Sequence, residues 1–155
     1  MNDMNGRPPS AVRLLRLSRS NKLILAEAFL ILASASLAIK LVPFRRTVAM
    51  VSTRPRRGRH SAAERDRIIA QCRWAIVALA RRVPWHAVCF QRGLALHLML
   101  RRRGIDSVLH YGVDQSDAHG LRAHVWISAG GRIVLGGEEA PQFACLASFP
   151  SREAA

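Results

Sequence analysis

The chain has 155 residues, half of them hydrophobic: one domain's worth, with enough apolar side chain for a core and too much for wholesale disorder. Lysine and arginine number 24 against 10 acidic residues, a net charge of +14, and only Lys22 and Lys40 are lysines. Such an arginine-rich surface suits an acidic partner (nucleic acid, anionic lipid or acidic peptide) without choosing among them.

Residues 1–20 hold Gly6, Pro8, Pro9 and four arginines with no sustained period, and are expected to form a flexible basic arm. No charged-then-apolar export signal with a small-residue cleavage site follows. Leu23 to Ile39 is the most apolar stretch. At 17 residues it lies at the bottom of the range for spanning a bilayer, and Glu27 inside it would cost about 2–3 kcal/mol in lipid. A helix docked in a soluble domain is the expectation, with membrane contact kept open by the basic flanks (Arg16, Arg19, Lys22, Arg45, Arg46). Pro43 ends this helix, and Arg54–Arg59 reads as a solvated connector.

Ser61 followed by Glu64 forms a capping box, and Ile68, Cys72, Ala75, Ile76 and Leu79 fall on one helical face. Cys72, inside that stripe, is a core residue by this reading. Val83-Pro84-Trp85 breaks the chain before a third helix over about His86 to Arg103, stopped by Gly104. The period then changes to two. Ser107–Val113, Arg122–Ser128 and Arg132–Gly136 are predicted strands, the last two joined by a hairpin at Ala129-Gly130-Gly131, with Asp114–Gly120 a polar loop. The predicted class is α+β: N-terminal helices (21–104), then a small antiparallel sheet (105–140), in one domain over 21–155.

The three cysteines, Cys72, Cys89 and Cys145, are odd in number and lack a CxxC pair, which suits a reducing cytosol and a cytoplasmic protein. Cys89 stands out by position. It lies in the first turn of the third helix, where unpaired N–H groups and the positive helix end favour thiolate and can donate to an oxyanion. Gly93, one turn on, costs about 1 kcal/mol in a helix interior, and a strand passing closely over it is the expected compensation. An ordinary buried cysteine is the competing reading for any one thiol; a helix start is what sets Cys89 apart from Cys72 and Cys145.

Of six histidines, His60 belongs to the connector and His97 lies about 12 Å along the same helix from Cys89. His86 sits on the nucleophile's own turn, and His110 and His119 lack aromatic support. His124 is mid-strand on a face shared with Arg122, Trp126 and Ser128, rigidly held and shielded as a general base should be. Cys89 as nucleophile and His124 as base is the expected catalytic pair.

The run Pro84-Trp85, Cys89, Leu94-Ala95-Leu96, Leu100 through Gly104-Ile105, Gly112-Val113, Ala123-His124-Val125-Trp126-Ile127 and Gly131 resembles the transglutaminase-like leader peptidases of lasso-peptide biosynthesis, over roughly Val83 to Gly137. The resemblance implies a papain/transglutaminase-like cysteine protease core that cleaves a ribosomal precursor peptide at its leader–core junction, without cofactor or metal. It also implies a separate leader-recognition protein and an ATP-dependent cyclase as partners. The family's carboxylate, about a dozen residues after the histidine, orients the imidazole; Gly136 occupies that position here. Glu138, two residues on and on the same face by a strand's period, is the nominated orienting acid, with Glu139, Asp114 and Asp117 as rivals. An acyl transferase on the same scaffold and a non-enzymatic nucleic-acid-binding module are the alternatives. The latter lacks a recognised motif and aromatic residues interleaved with the basic runs. A zinc site from Cys89, His119 and His124 lacks the usual paired spacing. Arg101–Arg103 and Arg54–Arg59 are candidate attractors for an acidic leader.

Overall fold

A computed structural model describes residues 18–43, 58–85, 87–114 and 122–150, together with Arg46, Ser52 and Gly120. The expected basic arm up to residue 17, most of the Arg54–Arg59 connector, His86, and the loop carrying Asp117 and His119 lie outside the described residues.

Among the described residues three long helices precede the sheet: α1 (Arg19–Leu41), α2 (Ala62–Ala80) and α3 (Cys89–Arg102). Helix α1 begins earlier than its apolar run suggests, because Ser18 caps it by accepting from the Asn21 N–H at 3.3 Å. By length and mean hydropathy (2.0) it could cross a membrane. One face is nonetheless buried on α2 and α3 through Ala28, Leu32 and Ala35, while Leu23, Leu30 and Leu37 stay exposed. Its polar interruptions are all accounted for. Glu27 pairs with Arg102 of α3 and with Arg103, which caps that helix; Ser34 bonds back to Leu30; Ser36 bonds back to Leu32 and accepts from the Trp85 indole at 2.9 Å. The carboxylate that would be costly in lipid is thus a docking contact here, and two of the arginines nominated as leader attractors are engaged by it.

Helix α2 carries the expected capping box: the Ser61 N–H donates to Glu64 at 2.9 Å and the Glu64 N–H to the Ser61 hydroxyl at 3.2 Å. Its buried stripe runs Ile69, Cys72, Ala75 and Ile76, with Ile68 and Leu79 at the margin. Helix α3 is the centre of the molecule, enclosed by α1 and α2 on one side and by the sheet on the other, so Gly93 to His97, Met99 and Leu100 are all buried. His97 is held there by a 2.9 Å bond to the Ser107 hydroxyl.

The sheet has four antiparallel strands in the order β3 (Arg132–Leu135), β2 (Arg122–Ala129), β1 (Ser107–Asp114), β4 (Ala144–Phe149). Gly130 and Gly131, with φ of 60° and 79°, supply the two positive values of a tight hairpin turn. The α+β class is as expected, but the sheet does not stop at 140. After a 3-10 turn at Ala140–Gln142 the chain returns as β4, placing Cys145 on an edge strand beside β1. Ala144–Phe149 is rich in small residues and short of β-branched ones, which hides it from a pattern reading.

Candidate active site

Cys89 is the first residue of α3 and is partly exposed. The residue ahead of it, Val88, has no acceptor side chain, so no side-chain cap engages the first turn. Buried Gln91 instead reaches back to take the Val88 N–H at 3.1 Å, fixing the chain's entry into the helix without using the N–H groups that follow. The result is a partly exposed thiol at the positive end of a helix.

Strand β2 crosses α3 one turn further along. A Cβ on Gly93 would stand 2.7 Å from Val125 Cγ1, so the helical glycine is required by the close approach of the strand. This contact also sets the strand's facing. Val125 and Ile127 pack toward the helices, and alternation sends His124 and Trp126 to the other side, where Trp126 clusters with Ala140 and Phe143. The His124 ring lies 5.0 Å from the Phe143 ring and 6.2 Å from that of Trp126, and is buried.

The imidazole is oriented by backbone. His124 Nε2 is 2.9 Å from the Gly136 carbonyl oxygen. A carbonyl only accepts, so Nε2 carries the proton, and in the neutral ring Nδ1 holds the lone pair. Among the described residues the nearest carboxylate to Nδ1 is that of Glu139, at 3.8 Å and largely exposed, too far for a hydrogen bond. Glu138, nominated as the orienting acid, borders the same cavity on an exposed turn, but the ring's partner is the Gly136 carbonyl. The period-two argument fails because β3 ends at Leu135 and Gly136, with φ of 73°, turns the chain. Asp114 faces Arg122 at 3.7 Å.

The remaining candidates have structural surroundings. His110 bonds Ser148 and Ser128 and stacks on Trp126 at 5.5 Å, so it does have aromatic support, contrary to the expectation from sequence. Cys72 is fully buried, and burial pushes its thiol up to about 11. Cys145 is exposed on β4. Among the described residues no group of three His, Cys, Asp or Glu side chains is placed to hold a metal.

Cys89 and His124 border one cavity of about 1300 Å³, between the faces of α2 and α3 and the free end of β3. Trp74 and Cys89 line it from the helices, and His124 and Phe143 from the sheet and the turn that leads into β4. Among the described residues no hydrogen bond joins the sulfur to the ring; both border the common space. Sequence reasoning missed the Gly136 carbonyl as the ring's partner and missed Arg92, which lines the cavity one turn after Cys89; only the paired glycines at 136 and 137 hinted at a backbone turn there.

No curated protein and no solved structure matches this chain. The family model described as the transglutaminase-like superfamily matches residues 29–148, from α1 through β4. Three helices followed by a four-stranded antiparallel sheet, with a cysteine heading the central helix, form the papain-like core of that superfamily. The chain belongs to the transglutaminase-like superfamily.

Proposed function

We propose that the protein is a cysteine peptidase that removes the leader from a ribosomal lasso precursor peptide, with Cys89 as nucleophile and His124 as general base. The superfamily includes cysteine peptidases and acyl transferases, and the observation that carries the reading is the shared cavity: a partly exposed thiol at a helix N-terminus and an imidazole with a fixed tautomer border the same space.

His124 Nδ1 takes the Cys89 proton, either through one bridging water or once substrate draws the two together. The sulfur attacks the scissile carbonyl carbon, and the first-turn N–H groups of α3 donate to the oxyanion. Collapse breaks the C–N bond as Nδ1–H protonates the leaving amine. Water, deprotonated by Nδ1, then cleaves the thioester, releasing the acid and restoring the thiol. The Gly136 carbonyl keeps the proton on Nε2 throughout. A separate leader-recognition protein and an ATP-dependent cyclase are proposed as partners.

Purified protein incubated with precursor peptide, with and without a recognition protein, is the test. Cys89→Ala and His124→Ala should each abolish cleavage while retaining the wild-type circular dichroism and unfolding midpoint. Cleavage by Cys89→Ala at the wild-type rate ends the proposal. Mass spectrometry of the products separates hydrolysis from transfer to an amine.

A further inference from the structure

Six arginines border the cavity, Arg73, Arg81, Arg82, Arg92, Arg122 and Arg132, against two carboxylates, Glu138 and Glu139. Their situations differ. Arg132 is held by Asp66 at 3.0 Å, and Arg122 faces Asp114 and covers the Phe143 ring at 5.3 Å. Among the described residues Arg92 has no ion pair, and its buried Nε has no hydrogen-bond partner. A buried guanidinium N–H lacking an acceptor is costly, and such a group is rarely left unmatched in the working state of a protein.

Position gives this arginine a use. Arg92 follows Cys89 by three residues, so the two side chains are neighbours on one face of α3, their Cβ atoms about 5–6 Å apart, and both border the cavity. No acidic residue occupies the first turn of α3 to neutralise it. The planar fork of a guanidinium, offering Nε–H beside a terminal N–H, matches the two oxygens of a carboxylate.

We infer that Arg92 is the carboxylate-recognising residue of the cavity, and that the substrate is a peptide with an aspartate or glutamate side chain within a residue or two of the bond that Cys89 attacks. This rests on Cys89 being the nucleophile of the proposed reaction, but the carboxylate site itself can be examined without any peptide. Glu138 and Glu139, across the same space, add a repulsive element that favours one placement of an acidic side chain over others.

The full chain is treated separately with iodoacetate and iodoacetamide, one anionic and one neutral alkylating reagent, and the rate at each cysteine is read by peptide mass spectrometry. Exposed Cys145 is the internal reference, and buried Cys72 should react with neither. The iodoacetate-to-iodoacetamide ratio at Cys89 should exceed that at Cys145 by roughly fivefold, the factor for a unit-charge pair near contact in water. It should fall to the Cys145 value in Arg92→Gln, hold partly in Arg92→Lys, and shrink in the wild type as salt rises. An unchanged ratio in folded Arg92→Gln overturns the inference. So does a wild-type ratio insensitive to salt, which serves if that variant does not fold, or a Cys89 that reacts with neither reagent. A ratio that responds as described in a protein that cleaves no precursor would retire the peptidase reading and leave the carboxylate site standing.

Discussion

The ring of His124 is tied to the Gly136 carbonyl, Nε2 to oxygen at 2.9 Å, at the position where the resemblance to leader peptidases implies a carboxylate. A backbone acceptor sets the tautomer as a carboxylate would, but it adds no negative charge behind an imidazolium. The conformation that aims it there, φ of 73°, is one that residues with a Cβ rarely adopt.

Any side chain at 136 therefore works against the site. A Cβ there would stand 2.7 Å from the Val125 carbonyl oxygen and 3.1 Å from His124 Nε2. Gly136→Ala is expected to cost about 1–3 kcal/mol in chemical denaturation and to lower cleavage at least tenfold. Gly136→Asp, which places a carboxylate at that position, should fare no better; recovery of activity in that variant would show that the carbonyl is dispensable.

Glu139, not Glu138, is the carboxylate beside Nδ1. Glu139→Ala should reduce kcat by a few-fold through lost stabilisation of the imidazolium, an exposed contact being well screened. Glu138→Ala should change it less. Steady-state kinetics of the two single variants decide the order, and the reverse order would return Glu138 to the role first given it.

Gly93 is where helix and strand meet. Alanine improves helix propensity by about 1 kcal/mol, yet its Cβ would press on Val125 Cγ1 at 2.7 Å. Gly93→Ala should be destabilising by about 1–2 kcal/mol net. Adding Val125→Ala should recover part of that, so urea unfolding of the double-mutant cycle should give a coupling energy outside experimental error.

The Glu27–Arg103 contact joins α1 to α3, with Nη1 to Oε1 at 3.1 Å and Arg102 Nε 3.4 Å away. The Arg103 hydrogen bond holds the Glu27 carboxyl below its usual range of about 4.5, with burial opposing the shift. A carboxyl depressed in the folded state contributes stability that is present above the unfolded value and is lost as pH falls through the folded one. Stability should therefore decline below about pH 4.5, and Glu27→Gln should flatten that decline while costing about 1–2 kcal/mol at neutral pH. Unfolding midpoints of both proteins from pH 3 to 7 check the sign.

Much of this architecture was legible in the residues because it is written at short range. The Ser61–Glu64 box, the glycine pair at 130 and 131, and the alternation through β1 and β2 each involve neighbours along the chain, and each appears where it was expected. The same locality marked Cys89 as the head of a helix and His124 as a rigid strand residue. Strand β4 escaped because its six residues owe their conformation to pairing with β1, not to their own propensity.

Which groups share a space depended on contacts between residues far apart in sequence. The strand rule extrapolated beyond Leu135 sent Glu138 behind the imidazole. The actual partner is chosen by a left-handed glycine that stops the strand and turns a carbonyl inward, and by the pressure of Val125 on Gly93, which decides the facing of the whole strand. Periodicity reports how a segment is built; it carries no information about where a neighbouring backbone ends or about which of Cys89, Arg92 and His124 come to border one cavity.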